Sequence, residues 1–141
     1  MMWDSDEQTA LGVDAAHGAA YIEALDEYAQ ACGQNASAPW RALLYIGTSD
    51  AILWAWLRPR LDYARGTANL HGQVELPGVK DRGIPLASHG STQAGKLLQV
   101  ARHLFSHQSE PALDVTGLLQ TLSDRGYHVL MGALHEYRGH H

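Results

Sequence analysis

The stretch STQAGKLLQVARHLF, residues 91–105, carries the clearest structural signal in the chain. Its apolar side chains recur at spacings of three and four residues, which places them on one face of an α-helix. They are Ala94, Leu97, Leu98, Ala101, Leu104 and Phe105. Ser91 and Thr92 precede this pattern, where a hydroxyl side chain commonly caps the first helical turn. The stretch predicts a helix with one buried face and favours a mainly α fold.

The N-terminal side of this stretch begins with another predicted helix. Asp14 is expected to cap it, and Gly33 supplies the left-handed residue that follows its end near Cys32. Its acidic residues Glu23, Asp26 and Glu27 are expected on the solvent side. The buried stripe is predicted to be Tyr21, Ile22, Leu25, Tyr28, Ala29 and Cys32.

Two shorter apolar segments follow. Pro39 introduces a predicted helix at 40–46 that Gly47 is expected to end. A buried strand at 43–46 is the competing assignment. The capping group Thr48-Ser49-Asp50 introduces another helix at 51–57, which Pro59 is expected to end or kink.

The C-terminal part of the chain predicts two more helical segments. Asp114 is expected to cap a short one whose apolar positions are Val115, Leu118, Leu119 and Leu122. Ser123-Asp124 starts a last helix with an expected buried stripe of Tyr127, Leu130, Met131, Leu134 and Tyr137. Residues 139–141, Gly-His-His, have the composition of a tail or purification tag.

Residues 66–90 contain five glycines together with Pro77 and Pro85, which makes a helix there improbable. Two interpretations stay open: a long loop, or a short β-hairpin that pairs 74–76 with 79–80. The prediction is one compact helical domain over residues 1–141, with about five helices and this irregular insertion.

The composition indicates a folded protein and argues against disordered, disulfide-bonded, secreted and membrane-spanning classes. Hydrophobic residues make up 45% and charged residues 18%, so the chain can bury a core and is not disordered. Cys32 is the only cysteine, which excludes an intramolecular disulfide and a thiolate-rich metal site within one chain. The N-terminal residues are acidic, unlike a secretory signal, and no apolar run approaches the roughly 20 residues of a membrane span. We therefore expect a cytoplasmic protein with no membrane contact.

Residues 90–138 show a characteristic succession of helix-start residues and apolar spacings. These are the Ser91-Thr92-Gln93-Ala94 start, the helix to Phe105, Leu113-Asp114, and LLQTLSD at 118–124 before the last helix. In this stretch the chain resembles small uncharacterised proteins of bacterial phages and integrative mobile elements. The resemblance implies a mobile-element accessory protein, a class in which small chains often bind a host protein, and it assigns no functional residue.

Trp54, Trp56, Arg58, Arg60 and Arg65 combine aromatic and basic side chains within twelve residues. This combination is typical of protein interfaces and of surfaces that bind single-stranded nucleic acid. The overall charge of −5 argues against nucleic acid, because neutralised phosphates supply most non-specific affinity. On a helix the two tryptophans point in different directions, so at least one is expected at a contact or partly exposed.

The chain has nine histidines, of which His103 and His107 are four residues apart and could share a metal ion with His89 or His128. There is no HExxH motif, and capping or solvated histidines are the favoured interpretation. Ser88 or Ser91 beside His89 forms no recognisable nucleophile motif. An enzyme is therefore disfavoured, and no cofactor is predicted.

The sequence favours a non-enzymatic binding or regulatory module that acts through protein–protein contact, such as an inhibitor of a host system. The predicted binding residues are Trp54, Trp56, Arg58, Arg60 and Arg65. Nucleic-acid binding through this 54–65 segment is the alternative, and a histidine-dependent metal-binding protein or hydrolase is the second alternative. A homo-oligomer is compatible with all three.

Overall fold

The structure is a computed structural model that describes residues 12–70, 93–106 and 115–139. Most of these residues are helical, which confirms the predicted mainly α fold. The helices described are α1 (Ala15–Cys32), α2 (Ala38–Thr48), α3 (Ala51–Leu57), α4 (Gln93–Ser106), α5 (Val115–Thr121) and α6 (Asp124–Arg138). A 3-10 turn (Arg58–Arg60) and two short antiparallel strands, β1 (Leu61–Asp62) and β2 (Thr67–Ala68), follow α3.

Helix α2 is the centre of the fold, because every residue from Ala42 to Thr48 is buried. It packs against α1, α4 and α6, and its end contacts α3. The strand assignment for 43–46 is therefore wrong. Gly47, expected just beyond the helix, lies inside it. A Cβ at Gly47 would stand 2.5 Å from Leu57 Cδ2, so glycine allows α3 to approach closely.

Helix α1 begins and ends where the sequence predicts. The Asp14 side chain accepts a hydrogen bond from His17 N at 2.8 Å, and Gly33 adopts φ 75° after the last turn. The predicted buried stripe is partly wrong, because Ile22 is 40% exposed. The residues that α1 buries are His17, Gly18, Tyr21, Ala24 and Tyr28.

Helix α4 confirms the stripe on which the fold prediction rests from Leu97 to Phe105, whereas the Ala94 side chain lies outside what the structure describes. Leu97, Leu98 and Ala101 are buried against the core, together with Val100, which the sequence pattern did not single out. Leu104 and Phe105 are partly buried and pack against the same core cluster.

Strands β1 and β2 were not predicted. They pair Leu61 with Ala68 and Asp62 with Thr67 around a turn in which Gly66 adopts φ 68°. The predicted hairpin at 74–76 and 79–80 lies outside the described residues. Within the described ranges no helix is both long and apolar enough to cross a membrane.

The two C-terminal helices expose more apolar surface than predicted. Leu118 of α5 is buried, whereas Val115 and Leu119 are 54% and 48% exposed. Ser123 caps α6 as expected, since its Oγ accepts a hydrogen bond from Gly126 N at 3.1 Å. The Asp114 cap falls outside the described residues.

Candidate functional site

The predicted Trp/Arg site lies on α3 and the 3-10 turn that follows it. Asp50 starts α3 by accepting hydrogen bonds from Ile52 N at 2.8 Å and from Leu53 N at 3.0 Å. Pro59 then occupies the 3-10 turn, as expected from its place after Leu57. The elements that present the tryptophans and two of the arginines are thus short and locally determined.

Each tryptophan is associated with an arginine of the same segment. The Arg60 guanidinium carbon lies 4.0 Å from the centre of the Trp56 ring, and that of Arg58 lies 5.9 Å from the Trp54 ring. Arg58 also forms an ion pair with Glu27 of α1. The arginine charges are therefore directed at aromatic faces and at an acidic side chain of the same molecule.

The structure places Trp56 in the core, although it is one of the binding residues predicted from the sequence. It is only 9% exposed and belongs to the hydrophobic core, so it is not available as a surface anchor in this conformation. Its indole Nε1 is buried without a hydrogen-bond partner. Trp54 is half-buried, so it is the tryptophan that is partly exposed, as expected for one of the two.

Arg65 is separated from the other members of the site. It lies in the turn between β1 and β2, where its Nε is 3.6 Å from Asp62 Oδ2 and its side chain is 83% exposed. Its backbone N–H donates to Asp62 Oδ1 at 3.1 Å. Its described contacts thus stabilise the turn, and none of them joins it to a tryptophan.

A surface that the sequence interpretation missed lies on α6. The predicted buried stripe of this helix is wrong for three of its five residues, because Tyr127, Met131 and Leu134 are 41%, 44% and 40% exposed. The helix buries its other face instead, with Gly126, Val129, Leu130, Ala133 and Glu136. Since residues three and four apart are neighbours on a helix, the three exposed side chains form one continuous apolar face.

A set of polar and aromatic side chains lies buried beneath α6. Tyr21 donates a hydrogen bond to Glu136 Oε1 at 2.6 Å, and the Tyr45 ring packs edge-on against the rings of Tyr21 and His17. Arg41 donates from Nε to the Glu136 backbone oxygen at 3.0 Å. These contacts join α1, α2 and α6 across the core.

His17 is held in one tautomer by its neighbours. Its Nδ1 accepts from Val13 N at 3.1 Å, so Nε2 carries the proton and donates to Tyr45 O at 2.8 Å. Burial lowers the pKa of His17, and the Arg125 charge acts in the same direction. Burial is also the largest cause that raises the pKa of Tyr45 to about 12.

The sequence contains one signal for this buried set. His17 lies four residues before Tyr21, on the stripe that continues through Ala24 and Tyr28. The buried set suits a structural role, since both ring nitrogens of His17 form hydrogen bonds. Burial and hydrogen bonding to Glu136 raise the pKa of Tyr21, which keeps its hydroxyl protonated as a donor.

The part of the chain that the structure describes contains no cluster of potential metal ligands. There, no three His, Cys, Asp or Glu side chains come close enough to hold an ion. His103 is half-buried on α4, and His128 Nδ1 is 2.7 Å from Asp124 O. His89 and His107 lie outside the described residues, as do Ser88 and Ser91.

The comparisons with known proteins found no match for this chain among family models, curated proteins or solved structures.

Proposed function

We propose that the chain is a non-enzymatic binding module that acts through protein–protein contact, and that the outer face of α6 makes the contact. The observation that carries this proposal is the row of Tyr127, Met131 and Leu134, each at least 40% exposed on one helix face. Single exposed apolar residues are common on protein surfaces, but a contiguous group of this kind marks interaction sites.

The residue types also suit a protein contact. Tyrosine and methionine are enriched in the cores of interfaces, where a ring or a flexible thioether fills a pocket at moderate entropic cost. The other face of α6 is fixed by its packing on α2, so the exposed face is presented on a rigid element. The resemblance of residues 90–138 to small uncharacterised proteins of bacterial phages and integrative mobile elements implies an accessory protein of this class, such as an inhibitor of a host system.

The nucleic-acid alternative receives less support from the geometry. Stacking requires open aromatic faces, whereas Trp56 is buried and the Arg60 guanidinium lies over its ring. Arg58 and Arg65 are each paired with an acidic side chain. The contact is therefore better assigned to α6 than to the 54–65 segment.

Site-specific photocrosslinking tests the proposal. Benzoylphenylalanine placed at position 131 should yield a covalent adduct with a protein in cells that produce the chain. The same group at position 23, an exposed residue of α1, is the control and should give little or no adduct. Equal labelling from both positions, or none from position 131, would contradict a contact at α6.

A charge placed in the middle of the face provides a second measurement. Met131→Glu should abolish retention of the crosslinked protein, because an unpaired carboxylate would have to be desolvated at the contact. Helicity and melting temperature should stay near the wild-type values, since position 131 is on the solvent side. Retention that survives this substitution would place the contact elsewhere.

A further inference from the structure

The exposed residues of α6 are arranged symmetrically in position about Met131. A helix turns by about 100° per residue, so positions three, four and seven residues from Met131 lie within roughly 60° of it on both sides. All seven residues at these positions are exposed: Asp124, Tyr127, His128, Met131, Leu134, His135 and Arg138. The buried residues of α6 occupy the opposite side of the helix.

The ends of this face carry opposite charges at equal distances from its centre. Asp124 lies seven residues before Met131, and Arg138 lies seven residues after it. Neither side chain forms an ion pair with another described residue, whereas Arg125, next to Asp124, is paired with Asp14 at 2.5 Å. Such a face is complementary to an antiparallel copy of itself.

We propose that the partner of this face is a second copy of the chain, bound about a twofold axis at Met131. This inference rests on the proposed function, because it names the protein that the α6 face contacts. In an antiparallel pair, Met131 meets its own symmetry mate and Asp124 of each protomer faces Arg138 of the other. A twofold interface of this isologous kind requires one self-complementary surface patch, which α6 supplies.

The other residues of the face fit the same register. Tyr127 of one protomer meets His135 of the other, and His128 meets Leu134, so an aromatic or apolar group is present in every inner pair. The side chains next to the axis are aromatic or apolar, and the Asp124–Arg138 pairs lie at the two ends. This order, an apolar centre with a polar rim, is the usual anatomy of protein interfaces.

The size of the face sets the expected affinity. Helix α6 has 15 residues and is therefore about 22 Å long. One pair of such helices buries less than the roughly 1,200–2,000 Å² of a standard stable interface. The dimer is accordingly expected to dissociate in the micromolar range or above, and measurements must extend to about 1 mM protein.

The test uses charge reversal at the two ends, with the full chain studied by sedimentation equilibrium. Asp124→Arg alone puts arginines opposite each other at both ends, and Arg138→Asp alone does the same with aspartates. Each single variant should dimerise about tenfold more weakly than the wild type or worse. An equimolar mixture of the two should form a heterodimer of near wild-type affinity, because every end pair is again opposite in charge.

The mixture also controls for effects on folding. Each reversal opposes the helix dipole and lowers the stability of α6, yet the mixture contains the same two chains with the same defects. Restored association therefore comes from the contact between them. Glu23→Arg, a charge reversal on α1 away from the face, should leave dimerisation unchanged.

Three results would overturn the inference: a wild-type chain that stays monomeric to about 1 mM, a dimer that survives Met131→Glu, or a mixture that associates no better than the single variants. These results differ from a failure of the proposed function. A monomeric chain whose position 131 still crosslinks to a different protein refutes self-association and leaves the α6 contact intact. A chain that neither dimerises nor crosslinks refutes both.

Discussion

Replacing Gly132 with alanine sets two opposite effects against each other. Gly132 lies inside α6, where alanine ordinarily stabilises a helix by about 1 kcal/mol relative to glycine. A Cβ at this position would stand 2.6 Å from Tyr45 Cε1 and closer still to Cζ and Oη of the same ring. Ordinary contacts begin near 3.4 Å, so either the ring or the helix must move by about 1 Å.

The Tyr45 ring has little freedom to move, because it is 4% exposed and packs 4.5 Å from the His17 ring and 5.1 Å from the Tyr21 ring. Overpacking of a core costs about 1–3 kcal/mol, and contacts with several ring atoms place this case at or above the upper end. After subtraction of the helix propensity, Gly132→Ala should lower the free energy of unfolding by about 2 kcal/mol.

Urea denaturation followed by circular dichroism measures this loss, and a double-mutant cycle identifies its cause. In a Tyr45→Leu background the outer ring atoms are absent, so Gly132→Ala should be neutral or stabilising there. The coupling between the two sites should exceed about 1 kcal/mol, as expected for residues in direct contact. If Gly132→Ala has the same effect in both backgrounds, steric contact with Tyr45 does not explain it.

Four further predictions concern the core. Because burial lowers the pKa of His17, the unfolded chain takes up the histidine proton at a higher pH than the folded chain does. The contribution of His17 to stability is therefore complete above the unfolded pKa of about 6.5 and declines as the pH falls below it. Urea midpoints at pH 7.5 and 5.5 should differ less in His17→Gln than in the wild type, and an equal difference would exclude His17 as the cause. Tyr21→Phe removes one donor from the buried Glu136 carboxylate and should cost about 1–3 kcal/mol in the same assay, whereas an unchanged midpoint would show that the hydrogen bond adds nothing. Trp56→Ala should cost about 3–5 kcal/mol, but Trp56→Phe, which removes a buried indole N–H that has no partner, should cost far less; similar losses would show that the unpaired N–H is immaterial. Leu98→Ala should cost about 2–5 kcal/mol, and a loss below roughly 0.5 kcal/mol would place that face of α4 outside the core.

The features predicted correctly from the sequence are those that neighbouring residues determine. The caps at Asp14, Asp50 and Ser123 form as expected, and so does the left-handed turn at Gly33. Each depends on a hydrogen bond or a backbone conformation within one helical turn. The amino-acid sequence is sufficient to recognise such features, because they do not depend on the rest of the fold.

The buried face of α6 was predicted incorrectly for a physical reason. Its exposed side carries the large apolar residues Tyr127, Met131 and Leu134, whereas its buried side includes the small residues Gly126 and Ala133 beside Val129 and Leu130. Hydrophobicity alone favours burial of Tyr127, Met131 and Leu134, but the close approach of Tyr45 to Gly132 shows that packing on α2 also depends on small residues. The distance between two packed helices depends on the side chains of both helices. The hydrophobic periodicity of one helix therefore does not specify it.

The candidate site shows the same division between local and long-range information. The association of Trp/Arg groups at 54–60 was recognised, because these residues are neighbours in the chain. The burial of Trp56 was not, since it depends on core residues distant in sequence. The symmetric placement of Asp124 and Arg138 about Met131 can be read from the sequence, but only after the structure shows which side of α6 faces solvent.

The burial of every residue from 42 to 48 in α2 has a consequence for synthesis on the ribosome. Helix α2 is completed by residue 48, but Glu136 of α6, whose backbone accepts from Arg41, follows 95 residues after that arginine. At roughly 5–20 residues per second, translation of that interval takes about 5–20 s. During this time the mostly apolar residues 42–48 of α2 are not packed against α6, so the nascent chain should be a substrate for chaperones that bind apolar segments.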